Sequence, residues 1–162
     1  ERCTGQMIMT LGAMLLLSVI MLRVNTANLT NESIRDDAQY GVLATSIATS
    51  IIEEAQSKAF DEKTDTTNAT LLTQLTSVLG PESGETETTF DDIDDYHNYS
   101  KSVSTPHVEN YTVSSTVDYV SASDQDEVSN VQTFFKRVNV RVTSPYISHP
   151  VILSFVFTLH SK

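Results

Sequence analysis

The stretch MIMTLGAMLLLSVIML, residues 7–22, contains no charged side chain, and Thr10 and Ser18 are its only polar residues. Leu and Met favour a helix over a strand. With Val24, the stretch approaches the roughly 20 residues that a helix needs to cross the hydrocarbon core of a bilayer. We therefore predict an apolar helix over residues 6–24 that is inserted in a membrane or in the core of an assembly.

A cleaved secretory signal is the main alternative for this stretch. Arg2 is the only basic residue before it, no small-x-small cleavage pattern follows Leu22, and a helical pattern resumes after Ser33. These features favour a membrane anchor that carries an extracytoplasmic domain.

Residues 25–33, NTANLTNES, are poor helix formers because Asn, Thr and Ser compete for backbone hydrogen bonds. Ser33 with Asp36 is a plausible N-terminal cap for a second helix. Two interpretations remain open here: a weak or melted link between two helices, and one continuous helix with a polar collar.

Residues 34–60 carry apolar side chains mostly every three to five positions, which is a helical period. We predict an amphipathic helix that docks this stripe on a sheet. The predicted stripe consists of Ile34, Ala38, Val42, Ile47, Ile51, Ala55, Ala59 and Phe60.

Three later segments alternate apolar and polar residues with period two, as half-buried strands of an antiparallel sheet do. They span residues 111–120, 135–143 and 151–159, and residues 99–104 are a candidate for a further strand. We thus predict an α+β fold in which a long N-terminal helix packs on a small antiparallel sheet within residues 99–162. The clearest predicted inward face belongs to the last strand and comprises Val151, Leu153, Phe155, Phe157 and Leu159.

Residues 61–98 connect the helix to the sheet. We predict a Thr/Asn-rich linker, then a short helix over residues 69–79 that ends at Gly80-Pro81, then an acidic loop.

The net charge of the 162-residue chain is −11, which argues against a nucleic-acid partner because phosphates require Lys and Arg. Cys3 is the only cysteine, so no disulfide forms within this sequence. No hydrolase, zinc-protease or nucleotide-binding motif occurs. The four histidines lack the spacing of a metal site. We therefore expect no enzymatic activity.

The acidic loop holds the sharpest chemical feature of the sequence. Its carboxylate density suits Ca²⁺, which takes six to eight oxygen ligands, although the spacing is not that of an EF-hand. The alternative is a solvated loop, or carboxylates that cap backbone amides in a turn. No other cofactor is indicated. The candidate calcium ligands are Asp91, Asp92, Asp94 and Asp95.

Five N-x-Ser/Thr sequons are candidate glycosylation sites on a surface protein. Chance in a chain rich in Ser, Thr and Asn accounts for most of them equally well. Their acceptors are Asn28, Asn31, Asn68, Asn98 and Asn110.

In layout the whole chain resembles a type IV pilin or pseudopilin. Members of that family have a short leader cleaved after a Gly, an apolar helical start, an amphipathic continuation, a variable loop and a C-terminal sheet. Gly5-Gln6 matches the leader junction, which would make residues 1–5 a leader remnant. The resemblance implies a prepilin peptidase and an inner-membrane assembly machinery as partners.

Three local motifs occur in the order Phe60-Asp61-Glu62, Gly80-Pro81-Glu82 with Gly84-Glu85, and Phe90-Asp91-Asp92-Ile93-Asp94-Asp95-Tyr96-His97. They are similar to motifs of a minor-pilin group typified by the D-type biogenesis protein of mannose-sensitive haemagglutinin pili. The chain has Gln6 where the family usually has Phe, and Thr10 where it usually has a Glu that is thought to pair with a neighbouring N-terminus. In a filament of this chain, something other than an intramembrane carboxylate would set the register.

The resemblance implies a structural subunit of an extracellular, pilus-like filament at the cell surface, inserted in the inner membrane before assembly. It would polymerise with its own copies or with other pilins. The alternative is a single-pass membrane protein with an extracytoplasmic ligand- or calcium-binding domain that never polymerises. Cleavage after Gly5 would favour the filament, and an intact N-terminus the permanent anchor. The predicted polymerisation core comprises Met7, Ile8, Met9, Leu11, Met14, Leu15, Leu16, Leu17, Val19, Ile20, Met21 and Leu22.

Overall fold

A computed structural model of the chain describes residues 2–64, 71–104 and 110–159, with side chains from residue 4 onward. One helix, α1 (Arg2–Gln56), precedes four strands: β1 (Ser100–Val103), β2 (Tyr111–Tyr119), β3 (Phe135–Thr143) and β4 (Val151–Thr158). The strands form one antiparallel sheet in the order β1-β2-β3-β4. The predicted α+β fold, a long N-terminal helix packed on a small antiparallel sheet, is confirmed.

Helix α1 runs without interruption through residues 25–33, so the continuous interpretation is correct and the melted link is wrong. Within this polar segment the hydroxyls of Thr26 and Thr30 donate to the carbonyls of Leu22 and Thr26, each at 2.9 Å. Both hydroxyls are thus bonded inside the helix. The chain divides into two compact units, residues 1–39 and residues 40–162.

Within the second unit, α1 packs on the sheet through a stripe that differs from the predicted one. Ile51 and Ala55 are buried as expected, but Ile34 and Val42 are 63% and 67% exposed. Because a helix turns by about 100° per residue, Val42 points about 200° away from a position two residues later. Ala59 and Phe60 lie beyond the helix, which ends at Gln56 rather than at residue 60. The observed stripe consists of Ala44, Ala48, Ile51, Ile52 and Ala55.

The sheet contributes the other half of the core. Its inward face follows the predicted alternation, and the register places Val113 opposite Val142, Val117 opposite Val138, and Val140 opposite Leu153. On β4 the predicted face is buried less evenly, because β4 is an edge strand. Phe157 is 8% exposed and Phe155 is 41% exposed.

The prediction of a short helix over residues 69–79 is wrong for the residues that the structure describes from 71 onward. They contain only the 3-10 turn Leu72–Gln74. The next residue, Leu75, is buried in the core, and the Thr76 amide bonds the carboxylate of Asp61. Tertiary contacts thus outweigh the helical propensity of this segment.

Candidate functional site

The apolar surface between residues 7 and 22 of α1 is exposed on all sides of the helix. Its twelve large apolar side chains, the predicted polymerisation core, are between 49% (Ile20) and 79% (Met9) exposed. A helix that is apolar all round is typical of a membrane span or of a helix inside a larger bundle. This surface is therefore a candidate contact surface.

The two hydroxyl groups within this surface are bonded inside the helix. Thr10 Oγ1 donates to the Met7 carbonyl at 2.9 Å, and Ser18 Oγ donates to the Met14 carbonyl at 2.8 Å. An unsatisfied polar group is costly in hydrocarbon. These bonds therefore allow the segment to enter an apolar environment.

By length and composition α1 is a candidate membrane span. A signal sequence near an N-terminus meets the same criterion. Gly5 and Gln6 lie at the start of α1, and a Cβ on Gly5 would meet no atom within 4 Å. Cleavage between Gly5 and Gln6 stays a prediction.

A second feature, in the unit of residues 40–162, is a buried charge cluster around Lys136. This lysine lies on the inward face of β3 and is fully buried. Its Nζ donates to the Phe60 carbonyl at 2.7 Å, to Asp61 Oδ2 at 3.0 Å and to Asp94 Oδ1. All three donors of the ammonium group are thus used. The charges of Asp61 and Asp94 are shielded from solvent together with that of Lys136.

Asp61 is the most extensively bonded carboxylate of the cluster. Besides Lys136, its Oδ2 accepts from the Thr76 amide at 2.9 Å and from the Tyr119 hydroxyl at 3.2 Å. Burial raises the pKa of Asp61, but the charge of Lys136 and the hydrogen bonds from the backbone amides of Thr76 and Lys63 lower it by more. The pKa of Asp61 therefore lies below its ordinary value. Asp61 is therefore ionised at neutral pH.

Asp94 is held differently, because burial raises its pKa more than Lys136 lowers it. The rings of Phe60 and Tyr119 cover the ammonium group of Lys136, with centroids 4.8 and 5.3 Å from Nζ. The cluster joins the segment after α1 and the acidic loop to β3. It thus fixes two loops on the sheet.

The carboxylates of Asp92 and Asp95 cap backbone amides of the acidic loop, Asp92 at the start of the 3-10 turn Asp94–Tyr96 and Asp95 in the segment before it. Asp92 Oδ1 accepts from the amides of Asp94 at 2.8 Å and Asp95 at 3.3 Å. Asp95 Oδ2 accepts from the amides of Asp91 at 3.0 Å and Asp92 at 3.2 Å. Two of the four predicted calcium ligands are therefore amide caps, a third pairs with Lys136, and Asp91 is exposed.

The remaining oxygens of the two caps, Asp92 Oδ2 and Asp95 Oδ1, are buried without a hydrogen-bond partner among the described residues. Each cap also belongs to a group of three carboxylates whose ligand oxygens lie within 4.8 Å of one another. The four predicted ligands are thus divided between two groups and Lys136, and calcium binding stays a prediction. The groups are Glu62 with Asp91 and Asp92, and Glu82 with Glu85 and Asp95.

Four of the five candidate glycosylation sites are exposed in the structure. Asn28 and Asn31 lie on α1, and Asn98 and Asn110 lie in loops with left-handed φ angles of 59° and 75°. Asn68 falls outside the described residues. Glycosylation of these sites stays a prediction.

Among the histidines, His97 has a structural partner. Its Nδ1 lies 2.6 Å from the Val117 carbonyl, which ties the acidic loop to β2. His149 is exposed, and the other two histidines fall outside the described residues.

The sequence analysis missed Lys136 and the three glutamates that join the aspartate groups. The alternation of β3 held a signal for Lys136, because it lies two positions before Val138 and so on the same face. No local pattern indicates that Glu82 and Glu85 approach Asp95. All three motifs that carry the resemblance contribute side chains to the charge cluster or to these groups.

Comparisons with protein-family models, with curated proteins and with solved structures find no match for this chain.

Proposed function

We propose that the chain is a structural, non-catalytic subunit of a type IV pilus-like filament and that it polymerises through residues 7–22. The observation that supports this most strongly is the apolar surface of α1, exposed all round with both of its hydroxyls bonded internally. Water is an unfavourable environment for such a surface. Lipid would cover the apolar surface before assembly, and a bundle of identical helices would cover it in the filament.

The magnitude of the burial supports a stable assembly. Removal of twelve large apolar side chains from water, at about 1.5–3 kcal/mol each, contributes roughly 20–35 kcal/mol. Association costs about 4–15 kcal/mol in lost freedom of motion. Once the helix has left the bilayer, its burial in a bundle is therefore favoured over its exposure to water.

The polar part of α1 also favours a bundle. Residues 25–33 are helical although Asn, Thr and Ser have low helix propensity, and they belong to the unit that ends at residue 39. Most of the stability of a helix in a protein comes from packing against neighbouring elements. Neighbouring helices in a filament would stabilise this segment, whereas a single membrane anchor provides no neighbouring helix.

The second candidate function is a permanent single-pass anchor with an extracytoplasmic binding domain. It uses the same apolar surface, which lipid covers as well as a bundle does. The two carboxylate groups favour it, because they are candidate cation ligands.

Electron microscopy of material sheared from cells, labelled with an antibody against residues 40–162, separates the two functions. The filament proposal predicts antibody label along filaments. Mass spectrometry should then find an N-terminal peptide that begins at Gln6. Retention of all the protein in the membrane fraction, with residues 1–5 still attached, would support the anchor instead.

A further inference from the structure

Three carboxylates, from Glu82, Glu85 and Asp95, converge in the unit of residues 40–162. One oxygen of each lies within 4.8 Å of the other two. Glu82 is exposed, Glu85 is half-buried and Asp95 is buried, so the group leads from solvent into the protein. Two oxygens bound to one Ca²⁺ at 2.3–2.6 Å lie at most about 5 Å apart. The observed spacing therefore lies within the span that one Ca²⁺ can bridge.

Asp95 provides an independent indication of a missing ligand. Its side chain is fully buried, and the amides of Asp91 and Asp92 hold its Oδ2 in place. Its Oδ1 is also buried and has no hydrogen-bond donor among the described residues. A buried carboxylate oxygen without a donor is costly. A cation at the group would supply the missing partner.

The three carboxylates also lack a basic partner. None of them forms an ion pair with a basic residue in the described part of the chain. A bound cation would supply the positive charge that the neighbouring side chains do not.

We propose that Glu82, Glu85 and Asp95 bind one Ca²⁺ ion. Asp95 supplies one oxygen, Oδ1, and the two glutamates supply one or two each, which gives three to five of the six to eight oxygens that Ca²⁺ takes. Water completes the shell. Mg²⁺ fits less well, because it requires a rigid octahedron at shorter distances and is usually bound by one or two carboxylates. The ion would join the turn at residues 82–85 to the capped turn at 91–95. The proposal does not depend on polymerisation.

Calorimetric titration of the full chain in non-ionic detergent, stripped with EDTA and dialysed, tests the site. Extracellular calcium modules bind with constants of roughly 10⁻⁴–10⁻³ M, so CaCl₂ is raised to about 10 mM. We expect saturable binding and a higher melting temperature for the wild type. Glu82→Gln and Glu85→Gln should each weaken binding by about tenfold or more. Glu82 is exposed, so its replacement leaves the core intact.

Glu62→Gln is the matched control, because it removes one charge from the neighbouring group, Glu62 with Asp91 and Asp92. It should bind Ca²⁺ like the wild type. Equal concentrations of MgCl₂ control for screening of the net charge and should raise the melting temperature less. No saturable heat, or wild-type binding by both Gln variants at 82 and 85, would overturn the proposal. Loss of binding in Glu62→Gln alone would also overturn it, because the ion would then lie at the other group.

Discussion

Lys136, Asp61 and Asp94 place three charges inside an otherwise apolar core. The removal of charges from water costs several kcal/mol per ion, and pairing recovers this cost only where the geometry is good. Here each ammonium donor has an acceptor, and Asp61 accepts additional bonds from Thr76 and Tyr119. An apolar residue of the same volume in place of Lys136 would form none of its hydrogen bonds to Phe60, Asp61 and Asp94. It would therefore not fix the two loops in position. We therefore regard the cluster as a device that fixes the two loops on β3.

Lys136→Met should lower the free energy of unfolding by about 3–5 kcal/mol, because it leaves two buried carboxylates without their cation. The matched control is Lys101→Met, which removes an exposed pair with Glu87 whose side chains are 45% and 40% accessible. That pair should contribute less than about 1 kcal/mol. Thermal unfolding of the detergent-solubilised chain, followed by near-ultraviolet circular dichroism, measures both. Equal losses would contradict a structural role for the buried cluster.

Asp61 should make stability depend on acid pH. Its pKa is lower in the folded protein than the ordinary 3.8, so its contribution is present above about pH 4 and is lost as the pH falls through the folded value. Asp61→Asn keeps an oxygen for the Thr76 amide but cannot titrate. Between pH 4 and 2 the melting temperature of this variant should fall less steeply than that of the wild type. Parallel pH curves would exclude Asp61 as the titrating group.

At the residue scale, the sequence predicted which loop is acidic but not what each acid does. Asp91, Asp92, Asp94 and Asp95 are neighbours in sequence, yet one is exposed, two cap amides and one pairs with a lysine 42 positions away. Such roles depend on contacts between distant segments, which local spacing does not encode.

At the element scale, period-two alternation predicted β2, β3 and β4 within about one residue. The residues of β2 and β3 alternate between buried and more exposed positions, and those of β4 alternate less regularly. The helical stripe was harder to predict. Residues 38–55 offer apolar side chains on several faces, and the sheet selects the face with the small residues Ala44 and Ala48, both fully buried. Small side chains allow the close approach of helix and sheet, whereas a hydrophobicity count favours the larger Val42.

Ala48→Leu should therefore destabilise the unit of residues 40–162 by about 1–3 kcal/mol through overpacking. Ala38→Leu is the control, because Ala38 is exposed on the same helix and belonged to the predicted stripe. It should change stability by less than about 0.5 kcal/mol. Thermal unfolding compares the two variants. A larger loss for Ala38→Leu would restore the predicted stripe and contradict the observed one.

At the scale of the whole molecule, the chain combines an apolar helical segment with a folded unit that carries its own core. The order of composition along the sequence, apolar, then amphipathic, then alternating, was sufficient to predict this layout. What covers the apolar helix is a property of the environment and of other chains, so one sequence cannot determine it. The filament is our proposal for that cover.

The central claim is that residues 7–22 form the polymerisation contact. Its most direct test is the amount of the chain in filaments sheared from cells that express Leu16→Lys or the control Gln125→Lys. Leu16 is 64% exposed within the apolar surface, and a lysine at the centre of an apolar helix costs about 2.5–3.5 kcal/mol. Gln125 lies in an exposed loop. The account predicts filaments with Gln125→Lys and none with Leu16→Lys. Unchanged filaments with Leu16→Lys would contradict it.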